Sequence, residues 1–481
     1  MTPEQPAEAL YRSPFATRWA SRAMLENWSD LRKFRTWRRL WIALAEAQQE
    51  LGLDVSEEQL HELRAHRDDV NFDVAAEKER ELRHDVMAHV HAYGEQCPRA
   101  RGIIHLGATS AFVGDNADLI LMREGLKLIC TPLAAACRKL AEFARTHRDL
   151  PCLAYTHFQP AQVTTVGKRA CLWLQDLLGA LREIAELAEE LPFRGVKGTT
   201  GTQASFLALF DGDHDKVKEL ERLVAVKMGF QRVLPVTGQT YPRALDYKVL
   251  ATLGLLAAAA AKMANDLRLL AGLKELEEPF GPKQVGSSAM AYKRNPMRCE
   301  RMASLARFLL NLVPNAAFTA AEQWLERTLD DSAVRRLALP EAFLAADSVA
   351  RIAANVTGGL VVNDQVIAAR LRSELPFMAT ENVLMAAVRA GGDRQELHER
   401  IRRHAMAAAE QVKQGGRNDL LDRIRADDAF AAVSGELDDL LEPSRFVGRA
   451  PEQVDEFLRE VAGPALAAFP APETPQGDLR V

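Results

Sequence analysis

Apolar residues recur along this chain with the spacing of α-helices. Between Phe34 and Leu44 they fall at positions i, i+3, i+6, i+7 and i+10, which predicts one apolar helix face that ends before Gly52. Alternating runs bounded by Asn-Gly or Asp-Gly turns, the pattern of β-hairpins, are not found. The chain is therefore predicted to be all-α.

Five long segments carry this helical pattern through the middle of the chain: 115–148, 162–190, 243–276, 296–323 and 332–356. Long helices in one block predict a bundle. After residue 362 the helical segments are shorter and more charged. We therefore expect an N-terminal helical domain at 1–110, a central long-helix bundle at 111–361 and a small C-terminal helical domain at 362–481.

The composition narrows the class of protein further. Of 481 residues, 48% are hydrophobic and 26% charged, which excludes general disorder, and a net charge of −5 gives no overall positive field for nucleic acid. The longest apolar stretch, near 249–261, is shorter than the roughly 18 residues of a membrane span. Six scattered cysteines and an N-terminus without a secretory pattern favour a cytoplasmic protein with reduced thiols.

Three irregular segments rich in Gly, Ser and Thr interrupt the helices, at 102–114, 194–206 and 280–296. Loops on a rigid scaffold are where binding and catalytic residues concentrate. We therefore looked for candidate chemistry in these segments and at the neighbouring helix ends.

Arg83, His84 and Asp85 are followed closely by His89 and His91. Zincin-type ligands lie at i and i+4 with a glutamate between them, whereas these histidine spacings are 5 and 2, so a metal site is disfavoured. Polar residues on a partly exposed helix are one alternative. A cationic Arg-His pair facing an anionic substrate is the interpretation we favour.

His157 lies between Thr156 and Pro160, and Pro160 is predicted to begin the next helix, as proline does at its first position. A capping or core role explains such a histidine as well as a chemical one does. An imidazole that titrates near neutrality is also the usual general acid or base.

The segment from Gly286 to Pro296 contains two serines, a lysine, an arginine and an asparagine, but not the G-x4-G-K-[ST] pattern of a P-loop. A plain flexible loop is the simple interpretation. A serine acts as a base only if its alkoxide is stabilised, and Lys293, Arg294 and the loop N–H groups would supply that field.

Arg327, Ser332 and Arg336 surround a predicted helix start, which Ser332 would cap. Arginines and a hydroxyl at a helix N-terminus make a phosphate site. An exposed cluster of charges at i and i+4 explains the same residues. From these residues alone, the two interpretations have equal weight.

Together and in this order, these segments resemble the fumarase/aspartase superfamily of lyases, whose fingerprint G-S-S-x-M-x-x-K-x-N-P reads GSSAMAYKRNP here. The finer pattern resembles the adenylosuccinate lyase family of the animal type. That resemblance covers nearly the whole chain, and it is carried by RHDVMAHV, IIHLGATS, THFQPAQ, FRGVKGTTGTQASF, TGQTY, ERTLDDSAVRR and ELPFMATEN.

The resemblance implies three largely helical domains that assemble into a homotetramer, with each active site shared between subunits. It implies elimination of fumarate from adenylosuccinate to give AMP, and from SAICAR to give AICAR, in purine nucleotide biosynthesis. It implies small-molecule substrates, no metal or organic cofactor, and no nucleic-acid or membrane partner.

The resemblance also implies roles for individual residues. His157 matches the general acid, Ser287 the base, and His84 a further catalytic position. Lys293 and Asn295 match the residues that hold the succinyl carboxylates and stabilise the aci-carboxylate intermediate. The family's substrate-binding positions correspond to Arg18, Trp19, Arg83, His84, Asp85, Thr109, Ser110, Thr156, Gln239, Arg301, Arg327, Ser332 and Arg336.

Three positions depart from the family pattern. Trp19 replaces the usual tyrosine and so places no phenol hydroxyl beside Arg18. Ala291 replaces the usual proline, which should loosen the fingerprint loop. Cys299 replaces a small hydroxyl residue, with an effect that the sequence does not predict.

Two other functions were weighed against this one. Another fumarate-releasing lyase, such as argininosuccinate lyase, is disfavoured by the phosphate-type cluster of Arg327, Ser332 and Arg336. A catalytically silent helical scaffold protein is disfavoured because the acid, the base and the fingerprint lysine are all retained. Release of fumarate from adenylosuccinate or from argininosuccinate distinguishes the three.

Overall fold

The computed structural model describes residues 9–470, and most of these residues are helical, which confirms the predicted fold class. The expectation that no secretory segment begins the chain falls largely on residues 1–8, outside the described range. All six cysteines lie within it, buried and unpaired.

The N-terminal part contains five helices: α1 Arg22–Asn27, α2 Asp30–Glu50, α3 Glu57–Ala65, α4 Phe72–Leu82 and α5 Asp85–Gln96. Serines begin three of them, because the hydroxyls of Ser21, Ser29 and Ser56 accept the backbone N–H three residues later. The predicted apolar face of α2 is buried from Trp37 to Leu44.

The central part follows as α6 Ser110–Thr146, β1 Pro151–Thr156, β2 Gln159–Thr165, α7 Val166–Glu190, α8 Ala204–Leu209, α9 His214–Lys227, α10 Ala244–Gly272, β3 Leu276–Glu277, α11 Met297–Ala321, α12 Asp331–Thr357 and β4 Val361–Val362. The five long helices confirm the predicted bundle. The first begins at Ser110 rather than near residue 115.

The five long helices pack as a closed ring in which α6 contacts α7, α7 contacts α10, α10 contacts α11, α11 contacts α12, and α12 returns to α6. Gly167 lets α6 and α7 approach closely, because a Cβ at this position would lie 2.4 Å from the carbonyl oxygen of Ala144. The ring is the rigid body from which the site loops project.

Helix α10 is long and apolar enough to cross a membrane, with a mean hydropathy of 1.4 over its best window. That test is also passed by core helices of soluble proteins, and 56% of the window is buried within the chain. As a member of the ring, α10 packs against α7, α11 and α12.

The C-terminal part contains α13 Asp364–Met378, α14 Thr380–Arg389, α15 Arg394–Lys413, α16 Leu420–Arg425, α17 Leu437–Leu440, α18 Ala450–Phe457 and α19 Gly463–Ala467. A second hydrophobic core, separate from that of the bundle, extends from Val383 to Leu437. Helices α18 and α19 return to pack near α6 and α7. The separate core therefore covers a shorter stretch of the chain than the predicted C-terminal domain at 362–481. The three domain boundaries stay predictions.

Candidate active site

The site residues suggested by the sequence lie at the two ends of the bundle. At one end, here called the arginine end, α6, α10 and α12 begin side by side. At the other, here called the hairpin end, β3 after α10 pairs with β4 after α12, and β1 and β2 follow α6. The 37 residues of α6 span about 55 Å, so one chain holds the two groups far apart.

Buried ion pairs fix the helix starts at the arginine end. Arg243 donates to Asp115 of α6 at 3.0 and 3.2 Å and to Asp331 of α12 at 2.6 Å. Arg327 donates to both oxygens of Asp331 at 3.1 Å. Burial alone would raise the pKa of Asp115, but the charges of Arg243 and its neighbours outweigh it and lower that pKa.

A second pair of aspartates extends this network. Arg335 binds Asp246 at 2.7 Å and Asp118 at 3.0 Å, and the hydroxyl of Tyr241 donates to Asp246 at 2.6 Å. Burial raises the pKa of Asp118 above its usual value in spite of Arg335. With Arg194, the network contains four arginines and four aspartates, so its formal charges balance.

Arg194 carries the network into two site loops. Its guanidinium donates to the backbone carbonyls of Gly198 and Gln239, and its own N–H donates to Asn116 at the start of α6. The N–H of Gln239 donates to the backbone carbonyl of Glu326 at 2.9 Å. The backbone of Gln239 is thus held from two sides, and its side-chain amide makes no hydrogen bond within residues 9–470.

The Arg83–His84–Asp85 group lies where α4 turns into α5. Arg83 adopts a left-handed backbone conformation (φ 51°), and Nδ1 of His84 accepts the N–H of Met87 at 3.4 Å as the cap of α5. Asp85 binds Arg336 of α12 at 3.1 Å. The structure therefore brings together two of the predicted groups, which are 251 residues apart along the chain.

The start of α12 corrects one prediction. Ser332 does not cap this helix: it is the second helical residue, Asp330 precedes the helix without a side-chain cap, and the N–H of Ser332 donates to Leu329. The carboxylate of Asp331, the first helical residue, is turned inward to Arg243 and Arg327. Ser332 is instead half-buried beside the arginine end.

Thr109 and Ser110 form the start of α6 with their hydroxyls free. Thr109 precedes the helix but makes no side-chain cap, and neither hydroxyl has a hydrogen-bond partner in the described chain. A helix N-terminus with open N–H groups and free hydroxyls suits an anion. This position lies on the helix that carries Asp115 and Asp118.

His157 corrects a second prediction, because Pro160 does not begin a helix. Pro160 lies in β2 opposite Tyr155, and α7 begins only at Val166. His157 and Phe158 form the two-residue turn of the hairpin and both have positive φ, 54° and 57°. Such turns favour Asn-Gly, and a non-glycine residue held at positive φ is a strained conformation that clusters at functional sites.

The hairpin tip projects from the rest of the chain. Thr156, His157 and Phe158 are exposed, and neither the imidazole nor the Thr156 hydroxyl makes a hydrogen bond within the described residues. Within the described residues the His157 imidazole is therefore left open to a ligand.

Ser287 is half-buried, and its side chain is held by its own loop. The hydroxyl oxygen accepts the N–H groups of Met290 at 3.1 Å and Ala289 at 3.3 Å. Hydrogen bonds donated to an oxygen favour its ionised form. This is the arrangement a serine base requires, and Ser288 has no such bonds.

The rest of the fingerprint loop closes on itself. Asn295 donates to the carbonyl of Gly286 at 2.7 Å, and a Cβ on Gly286 would lie 2.0 Å from the carbonyl oxygen of Lys293. Lys293 itself is exposed and has no ion pair in the described chain. Part of the Asn295 amide is therefore occupied within the loop, whereas the ammonium of Lys293 is free to bind an anion.

Cys299 lies in the first turn of α11 behind this loop. Its N–H donates to the buried carboxylate of Glu278 at 2.9 Å, and burial beside Glu278 raises the pKa of its thiol. The thiol is thus buried and neutral, and the Glu278 carboxylate accepts a backbone N–H at the start of α11.

Arg18 lies within electrostatic range of Arg301, and neither pairs with a carboxylate within residues 9–470. Burial and the charge of Arg18 lower the pKa of Arg301. Two guanidinium groups near each other, without an ion pair in the described chain, would favour a bound anion. Trp19 packs its indole against Phe15 at 5.6 Å and leaves its buried N–H without a hydrogen bond.

His89, the first histidine after Asp85, lies in the packed interior of the N-terminal helices. His89 is buried and stacked on Phe34 at 3.7 Å, and burial lowers its pKa to about 4. No group of three His, Cys, Asp or Glu side chains suited to a metal ion occurs between residues 9 and 470.

Comparison with known proteins extends these observations. A family model described as Lyase matches residues 11–308, and one described as Adenylosuccinate lyase C-terminus matches residues 376–457. The adenylosuccinate lyase of Saccharomyces cerevisiae is 54% identical over 95% of this chain and 96% of its own. That of Schizosaccharomyces pombe is 53% identical over the same shares.

Solved structures with the same fold include a 3-carboxy-cis,cis-muconate lactonizing enzyme from Pseudomonas putida. It aligns with a TM-score of 0.82 and 22% identity over 95% of this chain and all of its own. A fumarate lyase from Mesorhizobium sp. BNC1 aligns with a TM-score of 0.78 and 24% identity over 94% of this chain. At these identities the likeness concerns the fold alone.

Proposed function

This chain belongs to the adenylosuccinate lyase family, and from that premise we propose that it cleaves adenylosuccinate to AMP and fumarate, and SAICAR to AICAR and fumarate. The observation that carries the proposal is 54% identity along 95% of the chain. Both substrates contain a succinyl group on nitrogen and a 5′-phosphate. The site must therefore bind three anionic groups, remove one carbon-bound proton and protonate one nitrogen.

Ser287 is the base in this proposal. Its alkoxide takes the proton from the succinyl carbon next to a carboxylate, and the two loop N–H groups that it accepts stabilise the alkoxide beforehand. The electron pair is held by that carboxylate as an aci-carboxylate. Lys293, exposed on the same loop, is placed to stabilise the added charge.

His157 is the acid. The carbon–nitrogen bond breaks as the electron pair forms the double bond of fumarate, and the leaving nitrogen takes the proton of the His157 imidazolium. These proton transfers need no metal or organic cofactor. His84, which caps α5 beside Asp85 and Arg336, would orient the substrate at the arginine end.

The remaining cations bind the anionic groups. Arg18 beside Arg301, Arg336 at the arginine end and Lys293 on the fingerprint loop are cations that a bound anion can reach. We assign the phosphate and the carboxylates to these positions together with Arg83, Thr109, Ser110, Gln239, Arg327, Ser332, Asn295 and Thr156.

We further propose that the active site is completed by other copies of the chain in a homotetramer. His84 lies at the arginine end, whereas His157 and Ser287 lie at the hairpin end, about 55 Å away along α6. Antiparallel packing of bundles brings such ends together. We place the enzyme in the cytoplasm, where its buried thiols would remain reduced.

The activity is tested by incubating the protein with adenylosuccinate, SAICAR or argininosuccinate and measuring fumarate. Fumarate from the two purine substrates is expected. Release from argininosuccinate alone, or from none of the three, contradicts the proposal.

Shared sites are tested by mixing His84→Ala, at the arginine end, with Ser287→Ala, at the hairpin end, unfolding both and reassembling them. If the two residues of one site come from different chains, about a quarter of the sites in random mixtures are intact. Recovery near a quarter of the parent activity is expected. Mixed tetramers that form, as shown by co-purified tags, but remain inactive would place both residues in one subunit's site.

A further inference from the structure

A buried carboxylate connects the His157 hairpin to the body of the bundle. Glu275 lies between the end of α10 and β3 and is 1% exposed. Its carboxylate accepts the hydroxyl of Tyr155 at 3.1 Å, two residues before His157. Arg169 of α7 and Arg370 of α13 lie 3.8 and 3.6 Å from the same carboxylate.

The backbone of Glu275 is itself fixed. Its N–H donates to Leu270 of α10 at 2.9 Å, and its carbonyl accepts the N–H of Asn363, just after β4, at 2.9 Å. The side-chain amide of Asn363 donates to Lys274 at 2.9 Å. Glu275 therefore provides a rigid acceptor that belongs to the bundle and not to the hairpin.

The outer half of the hairpin has few other anchors. The strand register shifts between Ala154 and Tyr155, and beyond that point Tyr155 lies opposite Pro160, which has no N–H to donate. Only the pair Thr156 and Gln159 separates this irregular position from the turn. Strand pairing alone thus holds the tip weakly.

The turn also needs support because its backbone is strained. Left-handed conformations at two successive non-glycine residues are strained and persist only where surrounding contacts determine them. Two contacts that reach the turn are the Tyr155 ring against the Phe158 ring at 5.7 Å and the Tyr155 hydroxyl on Glu275. Both contacts pass through Tyr155.

We propose that Tyr155 and Glu275 are positioning residues for His157, which hold the hairpin tip in the geometry required for proton transfer. This inference rests on the proposed role of His157 as the acid. The pair acts on the backbone that places the imidazole and does not touch the substrate. Its loss should therefore lower kcat and leave KM nearly unchanged.

The test variant is Tyr155→Phe, which removes the hydroxyl and keeps the ring against Phe158. Glu275 remains compensated by Arg169 and Arg370, so the fold should persist, and circular dichroism and thermal unfolding check this. We expect kcat to fall about tenfold with KM within twofold of the parent, because a misplacement of about 1 Å costs up to 100-fold. Tyr247→Phe, a half-exposed tyrosine without a hydroxyl partner in the described chain, is the matched control.

A double-mutant cycle separates positioning from general damage. In the His157→Ala background, Tyr155→Phe should cause no further loss of the residual rate, because the residue through which it acts is gone. Equal loss in both backgrounds, or a parent-like kcat for Tyr155→Phe, overturns the inference. If His157→Ala alone keeps the parent kcat, the proposed function of His157 fails first, and the cycle shows which proposal is at fault.

Glu275→Gln provides the complementary variant. The amide oxygen still accepts the Tyr155 hydroxyl, so kcat should stay within about threefold of the parent even where the charge lost beside Arg169 and Arg370 lowers the melting temperature. A fall in kcat as large as that of Tyr155→Phe would show that the hydrogen bond is not the connection that matters.

Discussion

At the arginine end a network of buried arginines and aspartates is held by ion pairs, whereas at the hairpin end His157 is exposed, Ser287 is half-buried and both make few contacts. Arg243 and Asp331 each have side chains 1% exposed and are joined at 2.6 Å. Within residues 9–470, His157 has no side-chain hydrogen bond, and the Ser287 hydroxyl is bound only by its own loop. The side chains of the network are thus paired with one another, whereas those proposed for proton transfer are left open to a ligand.

The difference follows from what each end must do. Substrate binding needs fixed loops, and the balanced network of four arginines and four aspartates holds the starts of α6, α10 and α12 at a cost in desolvation that its pairing offsets. Proton transfer needs groups that meet the substrate from several sides. Those groups lie on short projecting segments that a neighbouring chain can enclose.

The sharpest way to test the hairpin end is Ser287→Ala. This variant removes the oxygen that the two loop N–H groups stabilise, so kcat should fall by at least 10²–10⁴-fold, the range for a lost acid or base. Adenylosuccinate should still bind, as titration calorimetry would measure, because the loop contributes mostly to the transition state.

Ser288→Ala is the matched control for that change. Its hydroxyl makes no hydrogen bond to the loop amides, so its kcat should stay close to that of the parent enzyme. If Ser288→Ala is inactive while Ser287→Ala turns over, the base is Ser288 and the amide geometry has been misinterpreted.

Among the changes at the arginine end, Arg243→Leu should destabilise the protein most. That change leaves Asp115 and Asp331 buried without their main partner, which should lower the free energy of unfolding by about 3–5 kcal/mol in urea denaturation. Arg22→Ala, which removes an exposed pair with Glu26, should lower the free energy of unfolding far less, because solvent screens that pair. If both variants lost similar free energies of unfolding, burial would not determine how much the network contributes to stability.

At the two ends, some features could be predicted from the sequence and others could not. The long helices followed from apolar periodicity, and the candidate residues near the helix starts followed from Gly- and Ser-rich segments. The network was not predicted, because Arg243 meets Asp115 across 128 residues and Asp331 across 88. Its members read in the sequence as ordinary surface charges.

The hairpin was missed for a different reason. Thr156 to Gln159 contains neither Asn-Gly nor Asp-Gly, so the local chemistry gives no sign of a two-residue turn. Pro160 was taken for a helix start, since proline is common at that position. Tertiary anchors, Tyr155 on Glu275 among them, impose the turn against local preference.

A smaller effect tests whether the arginine end also binds ligand. Arg336→Ala removes an exposed guanidinium that lies 3.1 Å from Asp85. Loss of a charged hydrogen bond of about 1.5–3 kcal/mol should weaken inhibition by AMP about ten- to a hundredfold. Inhibition by fumarate, which has no phosphate, should change little.

Arg222→Ala on α9 is the control for Arg336, because its guanidinium is exposed and pairs only with Glu219 in the described chain. It should leave both inhibition constants unchanged. Equal weakening of AMP and fumarate in Arg336→Ala would remove this arginine from the phosphate position.

The smallest expected effect concerns the conformational freedom of the fingerprint loop. Ala291 is exposed, its φ is not positive, and its N–H has no hydrogen-bond partner within residues 9–470, so proline removes no bond there. Ala291→Pro should raise the free energy of unfolding by roughly 0.4–1 kcal/mol, because it restricts the unfolded chain. The nearby bond from Lys293 N–H to Met290, 3.0 Å long, should persist. A lower melting temperature in thermal unfolding would show that the backbone around Met290 does not suit a following proline and that the loop has left the conformation typical of the family.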